Sequence, residues 1–107
     1  MNLWIAIWTI LDFAGINHEP PNPEVVPIVC MYDWDCGEAL GIAWCESLHN
    51  PRAYNGHDHG LFQVNEYWWR DAVGERAWSR RYTVDGSTSM AHRIWKAGGW
   101  DLWSCGR

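Results

Sequence analysis

The sequence predicts a small, mainly α domain of the α+β kind, with helices flanking one short hairpin or extended segment. Three observations predict it. The chain has 107 residues, the span of a single domain. Three stretches, 37–47, 66–80 and 87–98, carry helical hydrophobic spacing. Between the first two, Tyr54-Asn55-Gly56 is a tight-turn signal, and the alternation across Leu61-Phe62-Gln63-Val64-Asn65 suits a short strand.

Composition agrees with a folded domain and removes some function classes. The chain is 48% hydrophobic and 20% charged, which is globular rather than disordered. Its formal net charge of −5 argues against a nucleic-acid partner, which needs clustered Lys and Arg. Ten tryptophans can fill a core or stack on sugar faces, and composition does not separate those uses. Four cysteines, Cys30, Cys36, Cys45 and Cys105, form an even set that allows three disulfide pairings. No Cys-x-x-Cys pair is present, so no metal is expected; disulfides imply an exported or oxidising setting.

Taken in order, residues 3–16 are strongly apolar but too few to span a membrane, which takes roughly 20 residues. The segment is expected to pack on the domain; membrane contact through it is possible but less favoured. Residues 17–27 hold four prolines and read as an extended connector. The chain therefore divides into an N-terminal segment with connector, 1–27, and a folded unit, 28–107. A Cys30–Cys36 bond, if formed, would close a small loop worth on the order of 2 kcal/mol.

From Gly37 to Ser47, Ala39, Ile42, Ala43 and Glu46 share one helix face. His49-Asn50-Pro51 ends that helix. Asn65 can cap a helix from about Glu66 to Arg80, whose stripe is Trp68, Trp69, Ala72, Val73 and Ala77. Asp85-Gly86 reads as a turn, and Ser87 as the cap of a last helix ended by Gly98. Met90, Ala91, Ile94, Trp95 and Ala97 are expected to face the core. The tail from Gly99 reads as irregular.

Glu46 is the strongest chemical candidate. It sits on an apolar face near a helix C-terminus, with no cation one turn before it. Both the apolar face and the helix dipole disfavour its charged form, so it should hold its proton to higher pH than a free Glu. A general acid at a glycosidic oxygen needs this property. Asp58 is the candidate second carboxylate, since the Asn55-Gly56 turn can return it toward the helix end. Gln63 and Asn65 carry donors and acceptors suited to N-acetyl and hydroxyl groups. His57 and His59 flank Asp58 and read as solvent-exposed.

At these residues the chain resembles the lysozyme-like superfamily. The run ALGIAWCESLHNPRAYN resembles the Glu-Ser helix of soluble lytic transglycosylases, goose-type lysozymes and phage endolysin domains. The run HDHGLFQVN resembles their Gly-Leu-Phe-Gln-Ile-Asn segment, and RIWKAGGWDLWSC their last helix and tail. The stretch from Asp58 is also similar to chicken-type lysozymes, where an Asp just ahead of the Gly is the second carboxylate. The motifs cover about residues 28–105, and residues 1–27 match none of them.

The resemblance implies a groove for bacterial peptidoglycan or chitooligosaccharide. Glu46 would cleave the β-1,4 bond between N-acetylmuramic acid and N-acetylglucosamine, with Asp58 as the second catalytic carboxylate. Ser47 would support Glu46, and Tyr54, Gly60, Gln63, Asn65 and Trp68 would complete the substrate-binding set. In the related resuscitation-promoting factors a Cys before the Glu bonds to one near the end, which implies Cys45–Cys105 and leaves Cys30–Cys36. No cofactor is expected, and a monomer is. The setting implied is exported, at the cell envelope, or phage-associated. A lytic transglycosylase giving anhydro products and a non-catalytic glycan-binding module are the alternatives.

Overall fold

Asn22 starts the part of the chain that the computed structural model describes, residues 22–107. The expectations for residues 3–16, and for the connector up to residue 21, lie outside the described residues. The end of the connector is helical rather than extended: Val25–Val29 forms α1. Pro27 falls in its first turn, where the missing N–H has no intrahelical partner to lose. Val25 and Val29 are buried in the core, so core residues begin before residue 28.

Cys30 and Cys36 are bonded to each other, and Cys45 to Cys105. Helix α2 spans Cys36–Ser47. Asp35 caps it, a carboxylate oxygen accepting from the Glu38 N–H at 2.8 Å. Ala39, Ile42 and Ala43 are buried, as the spacing predicts, and Leu40 on the adjacent face is buried with them. The helix stops at two successive left-handed residues, Leu48 (φ 55°) and His49 (φ 60°), just before Asn50-Pro51. The buried His49 ring holds this corner, its Nε2 lying 2.9 Å from the Leu40 carbonyl oxygen. A carbonyl only accepts, so Nε2 carries the proton.

The hairpin is shorter than the alternation suggests. Strand β1 (Asp58–His59) pairs antiparallel with β2 (Val64–Asn65), Asp58 opposite Asn65 and His59 opposite Val64. Leu61, Phe62 and Gln63 form the loop between them, and Leu61 and Phe62 are fully buried there. Gly60, at φ 81°, opens that loop; a Cβ there would lie 2.2 Å from the Arg81 carbonyl oxygen.

The expected single helix from Glu66 to Arg80 is two: α3 (Glu66–Val73) and α4 (Glu75–Trp78). Gly74 separates them at φ 88°, outside helical space. The break rotates the buried side. Val73 and Trp78 enter the core, while Trp68 and Ala72, expected in the stripe, are exposed. Asn65 does cap α3, its Oδ1 accepting from the Trp68 N–H at 3.0 Å.

Helix α5 covers Val84–Gly98 and starts earlier than expected. Thr83, not Ser87, is the cap, its hydroxyl accepting from the Gly86 N–H at 2.9 Å. Asp85-Gly86 is thus the first turn of α5 rather than a separate turn. Ser87 is fully buried, and its hydroxyl accepts from the Phe62 N–H at 3.3 Å. Met90, Ala91 and Ile94 face the core; Trp95 is half-buried and Ala97 exposed. The tail folds into two 3-10 turns, Trp100–Leu102 and Ser104–Gly106.

The core is aromatic at its centre. Trp34 packs against Phe62, Trp95 and Trp100, with ring centroids 5.1–5.9 Å apart. Its indole N–H donates to the Val29 carbonyl at 2.8 Å, and that of Trp103 to the Phe62 carbonyl at 2.8 Å. Each indole thus joins α1 or the tail to the core while its polar end is satisfied. The result is a small, mainly helical domain with one two-stranded sheet. Among the described residues no helix is long and apolar enough to cross a membrane.

Candidate active site

The last turn of α2, the hairpin, the start of α3, α5 and the tail enclose an open cleft of about 190 Å³. Glu46 and Asp58 both line it, together with Gln63, Asn65 and Trp68. The fold therefore brings five of the expected site residues to one place.

Helix α2 buries Ile42 and Ala43 one turn before Glu46, and this draws the carboxyl partly out of water. Burial raises its affinity for a proton, and the nearby charge of Asp58 raises it further. Two donors from the tail partly oppose this: the Cys105 N–H at 3.3 Å and the Ser104 hydroxyl at 3.4 Å, both on Oε2. These bonds are long and weak. No cation pairs with Glu46 among the described residues. The sequence-based expectation of a proton held to higher pH agrees in direction, with burial as the leading cause.

Asp58 is held on both oxygens. Oδ1 accepts from Asn65 Nδ2 at 2.9 Å, and Oδ2 from Asn55 Nδ2 at 3.2 Å. Asn55 is itself fixed, its Oδ1 accepting the backbone N–H groups of His57 and Asp58 at 3.0 and 2.8 Å. The Asn-Gly turn thus does more than reverse the chain: it supplies a side chain that orients the candidate carboxylate.

Gln63 adopts φ 50°, and its amide N–H groups donate to the Ala53 and Gly60 carbonyls at 3.0 and 2.9 Å. Its Oε1 accepts from none of the described residues, which leaves it for a ligand N–H or O–H. Asn65 serves as cap and as clamp on Asp58, so most of its hydrogen-bonding capacity is spent on the fold. Trp68 is 72% exposed, and Tyr67 stands edge-on to it at 5.1 Å. An exposed indole at a cleft mouth is a ready face for a sugar ring.

Three expected site residues fall outside the cleft lining. The Ser47 hydroxyl is engaged elsewhere than on the Glu46 carboxyl: it lies 2.6 Å from the Leu61 carbonyl and 3.0 Å from the Ala43 carbonyl, tying α2 to the hairpin loop. Tyr54 bridges to His59 through the backbone, and its ring lies tilted against the His59 ring at 4.6 Å. Gly60 serves the close passage of Arg81. His59 also differs from expectation: it is 4% exposed, and only His57 is exposed. Its Nε2 donates to Glu66 at 2.9 Å, while Nδ1 faces the Tyr82 hydroxyl and the Arg81 Nε. Burial and the Arg81 charge both lower its affinity for a proton.

The sequence reading missed the far wall, formed by Trp69, Ile94, Leu102, Trp103 and Ser104. A signal for part of it was available. The Cys45–Cys105 bond places residue 104 beside residue 46, 58 positions away in sequence. Among the described residues no group of three or more His, Cys, Asp or Glu is placed to hold a metal.

Chemically, the cleft pairs a carboxyl disposed to hold a proton with a carboxylate fixed by two amides. No protein-family model matches the chain, and neither a curated protein nor a solved structure matches it.

Proposed function

We propose that this chain is a peptidoglycan-degrading glycosidase of lysozyme-like fold, a muramidase. One observation carries the reading: Glu46, partly buried and without a cation, shares a cleft with Asp58. Glycosidic cleavage uses such a pair, one carboxyl protonated and the other charged.

Glu46 donates its proton to the bridging oxygen as the bond to the sugar carbon breaks and its electrons pass to the leaving oxygen. Positive charge then develops on the sugar ring, and Asp58, held by Asn55 and Asn65, faces it. Glu46, now a carboxylate, takes a proton from the incoming water as its oxygen bonds to the sugar carbon. Trp68 offers its exposed face to a ring, and Gln63 Oε1 an acceptor for an acetamido N–H. The two disulfides suit an oxidising environment, and the reading places the chain outside the cytoplasm, at the cell envelope or with a phage.

The test is clearing of a peptidoglycan suspension by the wild type and by Glu46→Gln, followed by product masses. Reducing-end muropeptides from the wild type alone support the proposal. Anhydro-muropeptides as the main product would replace hydrolysis with lytic transglycosylation. Saccharide binding without any cleavage by the wild type would leave a glycan-binding module.

A further inference from the structure

Ser104 is exposed, yet it lies between two fixed points of the tail. On one side Trp103 is buried, with its indole N–H on the Phe62 carbonyl at 2.8 Å. On the other, Cys105 is bonded to Cys45, the residue before Glu46. The turn Ser104–Gly106 closes with the Gly106 N–H on the Trp103 carbonyl at 3.0 Å, and a Cβ on Gly106 would run into the Trp100 carbonyl. A segment with no helical period of its own is thus pinned on both sides of a hydroxyl that lines the cleft.

Both tail donors fall on the same oxygen of Glu46. The Cys105 N–H lies 3.3 Å and the Ser104 hydroxyl 3.4 Å from Oε2, while Oε1 accepts from none of the described residues. A backbone N–H only donates, so Oε2 is an acceptor. In a neutral carboxyl the oxygen bearing the proton is the poorer acceptor and the carbonyl oxygen the better one.

We propose that the tail turn decides which oxygen of Glu46 delivers the proton: Cys105 and Ser104 hold Oε2 as the carbonyl oxygen, Oε1 carries the proton, and Ser104 is a positioning residue for cleavage. The inference rests on the glycosidase reading and adds to it the origin of the transferred proton. On transfer the Oε1–H bond breaks, its electrons stay on Glu46, and negative charge spreads onto Oε2. Hydrogen bonds to an ionised acceptor are roughly twice as strong as those between neutral groups, so both donors tighten as the proton leaves. They stabilise the transfer more than the resting acid, and only such a difference speeds a step. The same two donors oppose burial by lowering the proton affinity of Glu46. Asp58 acts in the other direction, and among the described residues it is the one other titratable group in the cleft lining. Asp101 and Arg107 of the tail lie outside that lining, the Arg107 Nε donating to the Asp101 carbonyl at 3.0 Å.

The experiment compares wild type, Ser104→Ala and Ser104→Thr by three readouts. Carbon NMR of the Glu46 carboxyl should show the midpoint of its titration moving up in Ser104→Ala, because a donor to the carboxylate is gone. A tail merely loosened by the change would admit water and move the midpoint down, toward the ordinary 4.5. The infrared C=O stretch of neutral Glu46, taken as the difference from Glu46→Gln, should also move up, since a donor on the carbonyl oxygen lowers it. In peptidoglycan clearing, kcat of Ser104→Ala should fall about threefold to tenfold with KM little changed, while the alkaline limb of its pH profile moves up. Ser104→Thr, which keeps the hydroxyl, should restore all three. An unmoved or lowered midpoint, an unchanged C=O stretch, or a loss confined to KM, which would make Ser104 a substrate contact, would each overturn the inference. Absence of clearing by the wild type, with the two spectroscopic shifts present, would instead sink the glycosidase reading and leave the hold on Oε2 standing.

Discussion

Two glutamates on either side of the hairpin show how the same side chain is used in opposite ways. Glu66, at the start of α3, is surrounded by partners. It accepts from His59 Nε2 at 2.9 Å and pairs with Arg70 at 3.0 Å, while Arg70 also grips Glu75 through two nitrogens at 2.8 and 3.1 Å. The Arg70 guanidinium and the His59 bond hold the Glu66 carboxyl below the usual carboxylate range. Glu46, at the end of α2, has only two long donors from the tail, no cation, and a second carboxylate across the cleft, and its proton affinity is raised. Around Glu66 every charge is answered and the network fastens β1, α3 and α4. Around Glu46 the fold withholds compensation, which costs stability. Such a cost is tolerated where a group is needed for chemistry.

The largest effect that could break this contrast is on rate. Glu46→Gln should lower peptidoglycan clearing by about 10²–10⁴-fold, the usual worth of a positioned acid. Glu66→Gln should stay within about fivefold of wild type, because Glu66 lies outside the cleft. Clearing should also fall as pH rises past the raised Glu46 value, because the acid form is the one that donates. Comparable losses in the two variants would show that the contrast between the carboxylates has no catalytic meaning.

The second effect concerns how the cleft is closed. Its far wall is joined to α2 by Cys45–Cys105, across 60 positions of sequence. Replacing both cysteines by Ala should cost about 4 kcal/mol in urea unfolding, by the chain-entropy model for such a loop. Clearing should fall too, since the Cys105 N–H and the Ser104 hydroxyl leave Glu46. The Glu66 network shares no residue with that bond. Retained protection of the α3 amides in hydrogen exchange, with loss of protection in the tail, would sharpen the division between the two regions.

What the sequence discloses follows the range of the interactions. Glu46 is legible because helix phase is local: Ala39, Ile42 and Ala43 give its face three, four and seven residues away. The Asn65 cap is legible for the same reason, as a polar residue opening an apolar period. The start of α5 is not. Asp85-Gly86 reads as a turn until Arg80 is seen to bond Asp85 and Ser87 to meet the Phe62 N–H. His59 looks exposed until Tyr82, Arg81 and Glu66 close around it from other parts of the chain. The tail carries no period at all; its role depends on a covalent bond that composition leaves three ways to draw.

Asn65 stands between the two regions, joining Asp58 to the start of α3. Asn65→Ala removes the cap and the Asp58 clamp together, and should cost about 1 kcal/mol of stability. Asn65→Asp keeps a capping oxygen but places a like charge against Asp58. If the clamp matters for cleavage, Asn65→Asp should retain more stability than Asn65→Ala and still clear peptidoglycan slowly. If clearing follows stability alone, Asn65 is a cap and nothing more.

The smallest effect is the most direct comparison of the two glutamates, because their signs oppose. The folded state holds the Glu46 proton more tightly than the unfolded chain does, so stability falls as pH rises from the ordinary Glu value of 4.5 through the raised one. Glu46→Gln removes that loss. The variant should match wild type in strong acid and exceed it near neutrality, by under about 1 kcal/mol because the carboxyl is half exposed and solvent screens it. Glu66 runs the other way. Its pairing stabilises fully above the ordinary value and is lost as pH falls through the lowered one, so Glu66→Gln should melt below wild type near neutrality and rejoin it in acid. Melting curves across pH for the three proteins decide the matter. Two differences of the same sign would mean that Glu46 is compensated after all, and its claim to be the acid of the cleft would go with it.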